Sequence, residues 1–441
     1  MKFGKYHALE IASRSVLDRN RRAAWTVPAE KLYPHQWLWD SAFIAIGLAH
    51  FDTTRAITEI DSVFRGQWRN GMLPHIIFWN QSDYWMGSQF WQSKHHRGAP
   101  RQVSTSCITQ PPVVALAIQA VARQLPADER TKFIRKYWPK LLAYHRWLYR
   151  DRDPLDNGSL ITVHPWESGL DTTPPWLQAV NEVRIPRRYQ IIRQIGILRA
   201  SRYVRSDTRH VPADERPDDE QAWRLLMLIA VYKTQGFSAK RMLRKPLAGV
   251  HDLTFNSIMV AANRAMTELA EMIAESIPAS LALKFQQSEL ALESLWDEAT
   301  GQYYSRNLLT GELIKISTFA TFMPLFAGSI PAERAAKLVA LLASKDYATT
   351  WPIPGVPPSA PGFKERRYWE GPTWINMNWL TIRGLEKYGY EREANALRTK
   401  TLDLVAQFGS YEYFSTLTGH GLGTNNFSWT AALVLDLLAD K

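Results

Sequence analysis

Residues 254–275 read TFNSIMVAANRAMTELAEMIAE. Apolar side chains fall three or four positions apart along this run, the spacing that lines one face of an α-helix. The same period predicts helices near 41–51, 53–69, 111–123, 128–150, 176–202, 219–236, 280–296, 316–326, 332–344, 373–388, 390–408 and 427–440. Asp52-Thr53-Thr54 and Pro217-Asp218-Asp219-Glu220 supply helix-start chemistry, since acceptors and negative charge suit the free N–H groups of a first turn. Strand signals are short, at Ile161 to His164 and Gln302 to Ser305. Long loops rich in Trp, Pro and Gly fall at 70–110, 151–175, 345–372 and 409–426, and five prolines in 351–362 make that stretch an ordered non-helical loop. Evenly spread helices with long loops between them predict an all-α fold, an (α/α)6 barrel or toroid whose loops gather into a funnel. The expectation is a single barrel domain over 1–441 with loop insertions near 70–110 and 345–372. A generic bundle or solenoid is compatible with the same spacing.

Composition narrows the class. With 46% apolar and 22% charged residues the 441-residue chain is an ordinary globular one, not disordered, collagen-like or coiled-coil. The sole cysteine, Cys107, excludes a disulfide scaffold and a Cys-rich zinc module. MKFGKYHALEIASRSV lacks the apolar stretch of a signal peptide, and no apolar run has membrane-spanning length. A cytoplasmic protein without a membrane partner is expected, its oligomeric state open, a homo-oligomer included. The charge is +11, and there are eighteen Trp, seventeen Tyr and seventeen Phe. Cations with aromatics suit single-stranded nucleic acid when the two interleave. Here the basic residues are scattered, while the tryptophans sit beside Asp, Glu, Gln, Asn and His. That favours a sugar or other polar neutral ligand, not nucleic acid.

Four segments concentrate chemistry. The first is YPHQWLWDSAF, with Tyr33, Gln36, Trp37, Trp39 and Asp40. The second is GMLPHIIFW with His75, followed by Tyr84, Trp85 and Trp91, and more weakly by Gln110 in ITQPP. The third, HPWESGLDTTPPW, sets Trp166 before two carboxylates, Glu167 and Asp171, neither of which folding would require; Asp171-Thr172 as a helix cap is the structural alternative. The fourth, YEYFSTLTGHGLG, places Glu412 between two tyrosines, where partial desolvation raises a carboxyl pKa and suits it to proton transfer. YWEGPTWINMNW (368–379) adds further tryptophans. Glycoside cleavage needs two carboxyl groups, one to protonate the leaving oxygen and one to activate water or attack the sugar. Two carboxylates in separate aromatic loops are what a loop-built site would present.

The combination QWLWDSAF, GMLPHI, WESGLD, YWEGPTW and YEYF…TG…G resembles glycoside hydrolase family 63, and within it the short bacterial hydrolases of mannosylglycerate or glucosylglycerate. The resemblance runs from about residue 30 to 435. It implies an (α/α)6 barrel and an inverting α-glycosidase that needs neither metal nor organic cofactor. Asp171 matches the family's general acid and Glu412 its general base. The resemblance also sets Tyr33, Trp37, Trp39, Asp40, His75, Tyr84, Gln110, Trp166, Tyr368, Trp369, Gly371 and Trp374 around the substrate. A glycerate carboxylate calls for a guanidinium fork, and Arg205 and Arg216 are the candidates. Two positions depart from the family pattern: Glu370 stands where arginine is expected, and Ala222-Trp223 where relatives tend to carry tyrosine. Both bear on the aglycone, so a neutral α-disaccharide is the alternative substrate. A non-catalytic sugar-binding toroid would keep the tryptophans without needing both carboxylates.

Overall fold

The computed structural model describes residues 4–80, 82, 84, 86–187, 190, 205 and 207–439. It is mostly helical. Six helices form an inner set: α1 (Leu38–Leu48), α2 (Val114–Gln124), α3 (Leu253–Met272), α4 (Met323–Ala327), α5 (Ile375–Lys387) and α6 (Ser428–Ala439). Every residue of α1 is buried, as is α6 from Ser428 to Leu437. A helix apolar all round needs protein on every side, and these helices supply it to one another. α1 packs on α2, α2 on α3, α3 on α4, α4 on α5, α5 on α6, and α6 returns to α1.

Five further long helices pack around this cycle from outside. His7–Asn20 rests on α6, Thr53–Arg65 on α1 and α2, Ala127–Arg152 on α2, Ala279–Glu293 on α3, and Glu391–Phe408 on α5. These helices bury one stripe only: Thr53–Arg65 buries Ala56, Ile60, Val63 and Phe64 and turns Thr54 and Arg65 outward. Glycine lets the inner backbones touch. A Cβ added to Gly47 of α1 would stand 2.3 Å from the carbonyl oxygen of Ala432 in α6.

Local chemistry sets several boundaries. Asp52 accepts from the Arg55 N–H, and Asp218 forms a capping box with Gln221. The helix expected over 316–326 is instead a 3-10 turn, Phe319–Phe322, followed by α4; Pro324 has no N–H to carry an α-ladder back into that turn. The expected helix 176–202 is observed over Pro174–Asn181 and stops ahead of the Arg184-Ile185-Pro186 stretch; Arg187 and Gln190 are again helical, and 188–189 and 191–202 lie outside the described residues. Ile161 to His164 forms no strand, only a bridge from Thr162 to Val250, and His164 caps Pro165–Ser168. His7–Asn20, not anticipated, buries Leu9, Val16 and Leu17.

Two small antiparallel sheets serve the site. One runs β1 (Gln36–Trp37), β2 (Ile76–Phe78), β3 (Ser104–Thr105), pairing Trp37 with Ile76 and Ile77 with Thr105. The other is the hairpin β4 (Tyr411–Phe414) and β5 (Gly421–Asn425).

Candidate active site

The start of α1 and the segments leading into α2, α5 and α6 open on one cavity, with about 870 Å³ of empty space counting its mouth. Asp171 and Glu412 both line it. So do Tyr33, Trp37, Trp39, Asp40, His75 and Tyr84, and also Gln110, Trp166, Arg205, Arg216, Tyr368 and Trp369. Segments far apart in sequence therefore meet here.

Glu412 owes its aim to a break in the hairpin. The register shifts between Tyr411 and Tyr413, so Glu412 sits at a bulge, a device that redirects a side chain. Its Oε1 accepts from the Tyr33 hydroxyl (2.7 Å) and Arg216 Nη1 (3.3 Å), and its Oε2 from the Thr424 N–H (3.4 Å). Gly423, opposite, has φ +69°, and a Cβ there would meet Oε2 at 2.4 Å. Only glycine leaves room for the carboxylate at that position.

Asp171 is less supported. Among the described residues, its one hydrogen bond from another side chain comes from the Tyr368 hydroxyl, at 3.4 Å. Tyr368 and Tyr33 stand 3.5 Å apart, so a pair of phenols connects the two carboxyls. Burial pushes Asp171 up to about 7, against the opposing pull of Arg216. Burial also raises Glu412, but Arg216, Tyr33 and Thr424 all favour its charged form. Asp171 is not a helix cap: the residue before Pro174–Asn181 is Thr173. Asp40, in the first turn of α1, is a third carboxyl in the wall, raised well above its usual range by burial and then by Glu412 and Asp171.

The other carboxylate of WESGLD is structural, which corrects the expectation that folding would not require it. Glu167 is fully buried and accepts from Arg152 Nε (3.0 Å) and Nη2 (2.5 Å), and from the N–H groups of Val163 (2.9 Å) and Thr109 (3.4 Å). Gln36, next to Trp37 on β1, points away to Ser41, Glu59 and Ser62, as strand alternation requires. His75 bonds Ser106 Oγ through Nδ1 (2.8 Å), stacks along Trp166, and is held neutral by burial.

Gly371 and Trp374 do not line the cavity. Trp374 has no exposure and stacks between Trp369, at 3.5 Å between centroids, and Tyr413 at 4.6 Å, so it backs the wall. A Cβ on Gly371 would strike the Lys364 carbonyl at 2.4 Å. Glu370 also lies outside the cavity lining, bonded to Lys364 and Gln221, so the charge reversal there is answered locally. Of the other departure, Ala222 lines the cavity and Trp223 does not. Trp85 lies outside the described residues.

The two arginines differ. Arg205 grips Asp207 through Nε (3.0 Å) and Nη2 (2.6 Å) and gives Nη1 to the Pro217 carbonyl (2.8 Å). Arg216 lies over the Tyr368 ring at 4.2 Å, and among the described residues its Nε has no hydrogen bond, only an ion pair with Asp207 Oδ2 at 3.6 Å. Asp207 was missed by sequence reasoning, although its position two residues after Arg205 is a signal for a pair. Met86, Phe427 and Trp429 also line the cavity and carry no sequence signal that separates them from core. Among the described residues, no group of three or more His, Cys, Asp or Glu could hold a metal ion, and no helix is long and apolar enough to cross a membrane.

Comparison with known proteins gives a consistent picture. The family model described as the mannosylglycerate hydrolase MGH1-like glycoside hydrolase domain matches residues 33–430. A mannosylglycerate hydrolase of Thermus thermophilus is 41% identical over 424 residues, 95% of this chain and 98% of that protein. A glucosylglycerate hydrolase of Mycolicibacterium hassiacum is 32% identical over 449 residues, covering 97% and 98%. The crystal structure of a family 63 mannosylglycerate hydrolase, also of Thermus thermophilus, in complex with Tris and D-glycerate matches with a TM-score of 0.89 at 39% identity, over 97% of this chain and 99% of that one.

Proposed function

Since this chain belongs to the mannosylglycerate hydrolase MGH1-like glycoside hydrolases of family 63, we propose that its cavity hydrolyses a small α-glycoside of glycerate, mannosylglycerate or glucosylglycerate, to free sugar and glycerate with inversion. The observation that carries this reading is the unequal support of two carboxyls in one aromatic cavity. Asp171, with one weak side-chain donor and a pKa near 7, holds a proton and gives it to the glycosidic oxygen. Glu412, with three donors, stays ionised and takes a proton from the attacking water. Paired groups whose surroundings separate their proton affinities mark acid and base.

Tyr33, Trp37, Trp39, Asp40, His75, Tyr84, Gln110, Trp166, Tyr368 and Trp369 would hold the sugar and aglycone, with Gly371 and Trp374 shaping the wall behind. Arg216, whose Nε makes no hydrogen bond among the described residues and whose contacts to Asp207 and Glu412 are longer, is the better candidate for the glycerate carboxylate, because Arg205 is closely engaged with Asp207 and Pro217. No step uses a cofactor or metal. We read the fold as an (α/α)6 barrel forming one catalytic unit; the closed cycle of inner helices supports this. A small sugar-containing molecule is the partner, and the free thiol of Cys107 fits the reducing cytoplasm.

The test is a panel of glucosylglycerate, mannosylglycerate and neutral α-disaccharides, with released sugar followed by proton NMR in the first minutes. The glycerate glycosides should turn over, releasing the β-anomer first. Turnover of neutral disaccharides alone would remove the glycerate reading, and initial α-anomer would make Glu412 a nucleophile.

The pH profile should be a bell. Asp171 must be protonated, so activity falls as pH rises through about 7. Glu412 must be ionised, so activity falls on the acid side through a value above the ordinary 4.5. A profile flat across pH 6 to 8.5 would contradict the assignment of Asp171 as acid.

A further inference from the structure

The C-terminal halves of the inner helices surround a second cavity, on the side away from the carboxyl pair. It holds about 1630 Å³ of empty space, its mouth included. The carboxylates in its wall already have partners. Asp436 accepts from His50 (2.7 Å), Trp379 Nε1 (2.6 Å) and Arg383. Glu268 accepts from Gln119 (2.7 Å) and Arg123 (2.8 Å), and Glu386 from Arg383 (3.0 Å) and Arg398.

The cations are not balanced in the same way. Arg264 directs Nε and Nη2 outward to Glu289, at 3.1 and 3.0 Å. Lys387 bonds the Phe326 carbonyl at 2.5 Å, and among the described residues no carboxylate pairs with it. Arg264 Nη1 and Lys387 Nζ converge on one spot. A Cβ built on Gly328, at the end of α4, would lie 3.4 Å from the first and 3.9 Å from the second. Arg123, Arg264 and Lys387 face Glu268 and Glu289, so one positive charge is left over. Loss of water around the Lys387 ammonium, and then Arg264 and Arg123 against the opposing pull of Glu268, bring it down to about 8.

Helix C-termini attract cations, and the bond to Phe326 is such an interaction. It occupies one of three ammonium protons and supplies no full countercharge. We propose that this far mouth binds a small oxyanion, phosphate or carboxylate, bridging Lys387 Nζ and Arg264 Nη1. Two donors of like charge on the wall of one open cavity are an arrangement such a group satisfies, by charge-assisted hydrogen bonds to two of its oxygens. The site is separate from the hydrolytic one and does not depend on it.

The test uses the full chain. Binding of inorganic phosphate and, in a separate arm, of acetate is measured by calorimetry at fixed ionic strength set with chloride, so that general screening is constant. Phosphate, acetate or both should bind, and the arms tell which oxyanion is preferred. Lys387→Met and Arg264→Gln should each weaken that binding roughly ten- to a hundredfold, the value of one charged hydrogen bond, with hydrolysis unchanged. Asp171→Asn should bind as the parent does. If Lys387→Met fails to fold, Arg264→Gln carries the test, because its partner Glu289 is exposed. No binding of either anion, or equal binding by parent and folded variants, would overturn the proposal. Binding removed by a saturating active-site ligand would also overturn it, by placing the anion in the other cavity.

Discussion

Asp171→Asn and Glu412→Gln should each abolish measurable hydrolysis of the glycerate glycoside; Asp171→Asn should leave thermal unfolding almost unchanged, whereas Glu412→Gln, which takes the carboxylate from buried Arg216, should lower the unfolding temperature. One acid or base group typically contributes ~10²–10⁴-fold. Asp171 receives one long hydrogen bond from another side chain, at 3.4 Å, which an amide oxygen can still accept. In Glu412→Gln the amide oxygen remains an acceptor for Tyr33, although Arg216 loses an ionic partner. The two variants separate on an aryl glycoside with an acidic phenol. That leaving group needs little protonation, so Asp171→Asn should recover much of its rate, whereas Glu412→Gln still lacks the group that activates water. Near-parental turnover by either variant on the glycerate glycoside would end the acid–base assignment. Recovery by the wrong one would reverse it.

Those two carboxyls stand out as candidates in the sequence: Glu412 lies among tyrosines ahead of a glycine-rich turn, and Asp171 follows Gly169-Leu170 in a proline-bounded loop, where a helix cap is the structural alternative; their roles come from the family resemblance. What periodicity cannot show is orientation about a strand or loop. Gln36 and Trp37 look alike as candidates, yet β1 sends them to opposite faces. Trp374 and Trp369 lie in one motif, but they stack, and only one can face the cavity. Helix signals were readable where one apolar face was long, and α3 is the clearest case. His7–Asn20 was passed over because its polar face dominates the composition, although Leu9, Val16 and Leu17 carry the right spacing. The return of α6 onto α1 has no local signature, since it joins residues from opposite ends of the chain, as Gly47 and Ala432 do.

Glu167 shows the same limit with the largest consequence for stability. Its partner Arg152 lies fifteen positions upstream, at the end of another helix, so no motif announces the pair. Both side chains are almost wholly removed from solvent, at 2% and 0% exposure. Arg152→Met should therefore cost about 3–5 kcal/mol, the usual result of leaving one buried charge without its partner. The double variant Arg152→Met, Glu167→Gln removes both charges and should be less destabilised than Arg152→Met alone, as denaturant unfolding would measure. The pair also matters for the site. Glu167 receives the N–H groups of Val163 and Thr109, tying the loop of Trp166 and Asp171 to the strand-like segment before Gln110. Folded Arg152→Met protein should accordingly lose turnover as well as stability. Equal stability of the single and double variants would mean that the ionic bond contributes nothing beyond packing.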